Sequence, residues 1–220
     1  MADAGRVATR VVMLGAPGAG KGTQAERFAK SRGIPRISTG DILRDAVQAG
    51  TPLGRAARTT MEAGRLVGDD IMIGVVKERL EKKDADAGFV LDGFPRTVAQ
   101  AEALDKMLDQ SAPLVIVDIE VPEDVLVRRL AERRICGNCG WNATPGVDTC
   151  ARCGGPLVQR SDDGEDIVRE RLQVYARNTQ PLVEFYHRRS TFRSVDGDQT
   201  LESVAADLSA AVASVIGSRL

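Results

Sequence analysis

The sequence predicts an α/β fold in which a five-stranded parallel sheet is covered by helices on both faces and interrupted by two small inserts. Three observations predict it. Short apolar runs at 10–14, 34–37, 89–91, 114–119 and 192–196 alternate with helical patterns, the order that builds crossover units on a buried parallel sheet. The first run stops at a glycine cluster, Gly15 to Gly22, which opens a helical pattern. One stretch, 135–160, breaks the alternation and holds all four cysteines. With 220 residues, 43% apolar and 28% charged, the chain is long enough for one large domain with its own core.

In chain order, the β-branched run 10–14 reads as a strand and the pattern through Lys30 as the helix after the glycine cluster. The run Ile34 to Ile37 is followed by Ser38, Thr39 and Asp41, which suit a helix start, with Gly50 closing that helix. Helices over about 53–63 and 69–83 are separated by Gly64, with Asp69 and Asp70 complementing the second helix dipole. The strand 89–91 meets the turn Asp92-Gly93-Phe94-Pro95, where proline ends the ladder. A helix over 97–110, an apolar strand over 114–119 and a helix over 123–133 follow. Helical pattern resumes from Asp162 to about Arg189 with an expected interruption at Pro181, before a strand at 192–196 and a last helix from about Leu201. Residues 1–9 read as a frayed terminus.

Thirty Lys+Arg against 31 Asp+Glu give a formal charge of −1, which supplies no global basic field for nucleic acid or anionic lipid. No apolar run reaches the length of a membrane span, so the chain reads as cytoplasmic, with neither membrane nor nucleic acid as partner and a monomer as the default. Phosphate binding must then be local. The segment Gly15-Ala16-Pro17-Gly18-Ala19-Gly20-Lys21-Gly22-Thr23 lies between a strand and a helix. In such a loop, backbone N–H groups turn inward around phosphate, the helix N-terminus adds positive potential and the lysine adds a charge. Gly22 stands where the usual pattern has Ser or Thr, and Thr23 comes one place late. Asp92, at the C-terminal end of a parallel strand, faces the ligand crevice, where a carboxylate holds Mg²⁺ through water.

Cys136-Gly-Asn-Cys139 and Cys150-Ala-Arg-Cys153 are two C-x-x-C knuckles ten residues apart, and there is no other cysteine. Four thiolates at that spacing suit a closed tetrahedral structural site, with zinc the default metal. Two disulfides are the competing reading, disfavoured in a reducing compartment, and iron satisfies the same ligands.

Taken together, the loop 15–23, Ile37-Ser38-Thr39-Gly40-Asp41 with Arg44, Gly64-Arg65-Leu66-Val67, Leu91 to Arg96, Gln100 and Arg133-Arg134 resemble the adenylate kinases. The likeness runs from about residue 10 to 215. It implies a P-loop kinase core (1–37, 68–131, 164–220), a nucleoside-monophosphate-binding insert (38–67) and a lid carrying the four-cysteine site (132–163). It implies phosphoryl transfer, ATP + AMP giving 2 ADP, with Mg²⁺ on the nucleotide and structural Zn²⁺ in the lid. By the same resemblance, Gly18, Ala19, Gly20, Lys21, Gly22 and Thr23 cradle ATP together with Arg129 and Arg133. Thr39, Arg44, Arg65, Leu66, Val67, Gly93, Phe94, Pro95, Arg96 and Gln100 form the AMP site, joined by Arg160 and Arg171. Lys21, Arg96, Arg133, Arg160 and Arg171 act on the transferred group. Gln100 offers a donor and an acceptor to the adenine edge. No general base is evident, the one histidine being His187 on a late helix. The chain departs from the family pattern at Asn142-Ala143, after Trp141, and in the shorter spacing between the knuckles. Trp141 is expected to pack on the lid or stack near the base.

Two other functions fit parts of the sequence. A kinase for a different nucleoside monophosphate shares the loop and is disfavoured by Gln100 and Thr39. A nucleotide-switched binding module using the cysteine insert is disfavoured because 135–160 holds only Arg152 and Arg160 as basic residues and only Trp141 for stacking.

Overall fold

The computed structural model describes residues 8–109, 111–143, 146–160 and 162–217. Most of the terminal stretch 1–9, expected to fray, therefore lies outside the described residues. The expected parallel sheet is present, in the order β2-β3-β1-β4-β7, with β1 at Thr9–Leu14, β2 at Arg36–Ser38, β3 at Gly88–Asp92, β4 at Leu114–Glu120 and β7 at Phe192–Asp196. Every pair among these strands is parallel. The central strands are buried on both faces: Val11, Val12, Val90, Leu91, Val115, Ile116 and Val117 have no exposed surface, as continuous apolar runs require.

One face is covered by α1 (Lys21–Arg32) and α9 (Leu201–Ile216), through Phe28, Val204, Leu208 and Val212. The other carries α4 (Asp69–Leu80), α5 (Val98–Met107) and α8 (Gln180–His187), through Val76, Leu104, Leu182 and Tyr186. Because β1 has β3 on one side and β4 on the other, the loops after β1 and β3 open side by side at the C-terminal edge, where such sheets bind ligands.

Two excursions leave this core. After β2, helices α2 (Thr39–Gln48) and α3 (Pro52–Glu62) pack on each other closely enough that a Cβ on Gly54 would lie 2.0 Å from the Ala46 carbonyl oxygen. Ser38 caps α2 by accepting from the Asp41 N–H. After α6 (Glu123–Glu132), the cysteine insert is framed by a two-stranded antiparallel ribbon, β5 (Ile135–Cys136) with β6 (Leu157–Val158), which lack of periodicity had hidden.

The expected break at Pro181 lies earlier. Helix α7 (Glu165–Val174) runs into a π-helical turn over Tyr175–Thr179, and α8 begins with Pro181 in its first turn. A proline lacks the N–H and crowds the carbonyl four residues back, so the widened turn falls before it. Among the described residues, no helix is long and apolar enough to cross a membrane.

Candidate active site

The glycine loop wraps from β1 into α1. Lys21 Nζ donates to the Gly15 and Ala16 carbonyl oxygens at 2.7 and 2.8 Å, which keeps it folded over the loop. Loss of hydration lowers its pKa to about 8; Asp92 opposes this, while Arg96, Arg171 and Arg133 add to it. The glycine at position 22 has a local cause. A Cβ there would lie 3.1 Å from Arg36 Nη2 and 3.3 Å from Asp92 Oδ2, so the space usually filled by a hydroxyl side chain is occupied by an ion pair. Arg36 Nη2 donates to Asp92 Oδ2 at 2.6 Å and lies 3.1 Å from Asp41 Oδ2. Asp92 is thus at the strand end where it was expected, with one oxygen held by a residue that sequence reasoning did not single out.

A second cavity lies between the C-terminal end of β3 and the α2–α3 excursion. Thr39, Arg44, Arg65, Leu66, Val67, Gly93, Arg96 and Gln100 line it, together with Asp162 and Arg171. Phe94 and Pro95 do not line it: both are buried, Phe94 only 1% exposed and packed with the core. They shape the turn that brings Gly93 and Arg96 to the wall. Thr39 Oγ1 donates to the Gly93 carbonyl oxygen at 2.8 Å, and Arg96 Nε donates to the same oxygen at 2.9 Å. Gln100, 2% exposed, is held at both ends. Its Oε1 accepts from the Arg96 backbone N–H at 2.8 Å, and its Nε2 donates to Asp69 Oδ1 at 2.7 Å.

Between the loop and this cavity the arginines converge. Asp163, whose side chain is fully buried, accepts from Arg133 Nε at 2.6 Å, again from Arg133 Nη2, and from Arg171 Nη1 at 3.0 Å. Asp162 lies 3.1 Å from Arg171 and 3.9 Å from Arg160. Arg44 is paired with Asp41. Burial, then the neighbouring cations Arg44 and Arg133, lower the pKa of Arg160 to about 10. Burial, then Arg171, does the same for Arg96, also to about 10. Burial is the larger cause of these shifts and the neighbouring cations add to it; among the described residues, Lys21, Arg36, Arg44, Arg96, Arg133, Arg160 and Arg171 gather around the carboxylates Asp41, Asp92, Asp162 and Asp163. Arg129 stands apart from this group, donating to the Gly197 carbonyl oxygen at 3.0 Å beside Asp198. His187 is exposed on α8, with its ring 5.4 Å from that of Phe192.

The four cysteines meet as the knuckles foretold, all four sulfurs lying within 4.8 Å of one another. The Cys136–Cys153 and Cys139–Cys150 Sγ distances are 3.4 and 3.6 Å, too long for disulfides and near the separation of thiolates sharing one tetrahedral ion. Backbone N–H groups of Asn138 and Arg152 donate to Cys136 and Cys150 sulfur at 3.4 and 3.3 Å, the polarity a thiolate needs. The donor set fits a metal ion and the insert fits a zinc-type lid. Trp141 is half-buried, and its carbonyl oxygen accepts from the Cys136 N–H at 2.8 Å. Arg152 at the second knuckle comes within 3.8 Å of Glu26 on α1, which sets this insert over the phosphate-loop helix.

Asp69, Arg36 and Asp163 hold site residues in place and were not assigned by sequence reasoning; Asp118, near the end of β4, is a further buried carboxylate. The first three contact predicted site residues 30 to 56 positions away, apart from the local Arg171–Asp163 contact. Asp69 is visible in the sequence only as a helix-start carboxylate.

A phosphate loop on a five-stranded parallel sheet, facing a second cavity across a cluster of arginines, defines a P-loop phosphotransferase of the nucleoside monophosphate kinase class. Residues 13–191 match the family described as adenylate kinase. The adenylate kinase of Archaeoglobus fulgidus is 49% identical over 208 residues, covering 91% of this chain and 96% of that protein. That of Bacillus subtilis is 48% identical over 208 residues, covering 90% and 95%. The chain belongs to the adenylate kinase family.

Proposed function

We propose that the protein catalyses reversible phosphoryl transfer from Mg·ATP to AMP, giving two ADP. The observation that carries this reading is the cation cluster, only partly neutralised by carboxylates, that joins the loop at Lys21 to the cavity at Arg44 and Arg96. Two polyanions meet there, and their repulsion is what such a cluster offsets. Residues 18–23 cradle the donor phosphates, with Arg133 beside them and Arg129 at the nucleoside end. Thr39, Arg44, Arg65 to Val67, Gly93, Arg96 and Gln100 hold the acceptor.

Lys21, Arg96, Arg133, Arg160 and Arg171 spread over the moving phosphoryl group the charge that develops as it leaves one oxygen for another. The attacking phosphate oxygen of the acceptor is already anionic, so no general base is needed, consistent with the remote His187. Asp92 retains Oδ1 while Arg36 holds Oδ2, so Asp92 would hold a hydrated Mg²⁺, which when bound would supply counter-charge to the donor phosphates. Residues 38–67 and 132–163 are the two inserts that close over the substrates and exclude water. Cys136, Cys139, Cys150 and Cys153 would hold Zn²⁺ with four protein thiolates, and such an ion would keep the lid folded rather than take part in the transfer.

The test is nucleotide separation after incubating purified protein with Mg·ATP and, in parallel, AMP, GMP, CMP or UMP. ADP formation dependent on AMP is the expected result. Preferential turnover with another acceptor overturns the acceptor assignment, and no turnover with any acceptor overturns the reading as a kinase.

A further inference from the structure

The Gln100 amide does not choose its own orientation. Asp69 presents a carboxylate, which only accepts, so Nε2 faces it; the Arg96 backbone N–H only donates, so Oε1 faces that. Gln100 is 2% exposed. Asp69 is itself fixed, its other oxygen accepting from Thr97 Oγ1 at 2.9 Å at the start of α5. Turning the amide over would set Oε1 against the carboxylate and the NH₂ against an N–H. What remains for a ligand is one N–H and one oxygen lone pair in a fixed order.

We propose that Asp69 is a positioning residue for base selection: by locking the Gln100 amide, it makes the acceptor cavity discriminate 6-amino from 6-oxo purines. The inference rests on the acceptor reading above. A 6-aminopurine offers an acceptor at N1 and a donor at its 6-amino group, and a 6-oxopurine offers the reverse. An amide free to rotate satisfies both by flipping, whereas a locked one satisfies only one. Discrimination is strongest where the wrong ligand leaves buried polar groups unpaired, and Asp69 is the side chain that, with the Arg96 N–H, holds Gln100 to that condition.

The experiment measures kcat and KM for AMP and for IMP, which differ at the 6-position and N1 without the extra amino group of GMP. Wild type, Asp69→Asn and Asp69→Ser are compared, with thermal melts confirming that each variant is folded. Neither replacement has a fixed polarity, which leaves the Arg96 N–H as the one contact that still orients the amide, so the AMP-over-IMP ratio of kcat/KM is expected to fall about tenfold in both. The fall should come through a lower KM for IMP, with kcat for AMP within about threefold of wild type. A carboxylate that merely braces α4 against α5 would change both substrates alike. An unchanged ratio in folded variants overturns the inference, leaving the acceptor assignment intact. A wild type that does not prefer AMP to IMP overturns the acceptor reading itself. Should turnover be lost in a variant, calorimetric affinities for AMP and IMP decide by the same ratio.

Discussion

Replacing Asp163 by Asn isolates the contribution of the carboxylate that gathers the arginines. Asn has nearly the same shape, so no cavity opens and the change is one of charge. In the ligand-free protein, Asp163 accepts twice from Arg133 and once from Arg171, and its side chain has no exposed surface. Removing one partner of a buried ion pair costs about 3–5 kcal/mol. Arg133 and Arg171 are 19% and 18% exposed, so water compensates in part, and we expect a stability loss of about 2–3 kcal/mol, below the full penalty. For a protein of this size that lowers Tm by roughly 5–10 °C. A bound nucleotide supplies phosphate oxygens to the same guanidiniums, so the difference between variant and wild type should narrow under saturating Mg·ATP. The assay is thermal unfolding with and without nucleotide. A loss below about 0.5 kcal/mol in the free protein, or a difference that nucleotide leaves unchanged, refutes the claim that Asp163 stands in for substrate charge.

Other predictions follow from the same geometry. Asp118 is raised to about 6 by burial, with Glu120 adding and Lys21 opposing. The folded protein therefore holds that proton better than the unfolded chain, and stability falls as pH rises from about 4 through 6 and stays lower above it. Asp118→Asn should be more stable than wild type at pH 7.5 by about 2 kcal/mol, a gain that vanishes near pH 4 in denaturant titrations; no gain at pH 7.5 contradicts the assignment. Lys21, lowered to about 8 in the free protein, should regain its proton when phosphates approach. Calorimetric titration of nucleotide at pH 8.5 in buffers of different ionisation enthalpy should show uptake of more than about half a proton, absent at pH 6.5 and in Lys21→Met. Strong chelation should release one metal ion per chain by elemental analysis, expose four titratable thiols and make 132–163 the first site of proteolysis; freely reacting thiols in the untreated protein would exclude a structural ion.

The legible parts of this molecule were those whose cause is local in sequence. Five short apolar runs named five strands, Ser38 announced a cap that it provides, and the two knuckles located the metal-type cluster. Strand order was not legible, because β1 pairs with strands about 80 and 105 residues away. Nor were the residues that prepare the site. Asp69 reads as a helix-dipole carboxylate until Gln100 is seen on it, and Arg36 as a surface charge until it reaches Asp92. The departure at Gly22 is intelligible only in space, where Arg36 and Asp92 fill the volume that a side chain there would need. Pro181 did mark a break in the helix, but the break falls in the turn before it.

The most direct test of the central claim is calorimetric titration with a bisubstrate nucleotide, two adenosines joined through a polyphosphate bridge. If one cation cluster joins a donor site at Lys21 to an acceptor site at Arg44 and Arg96, one ligand binds per chain, excludes both ATP and AMP, and loses at least tenfold in affinity on Arg160→Ala. Binding of two ligands per chain, or AMP binding undiminished in the presence of the ligand, would contradict it.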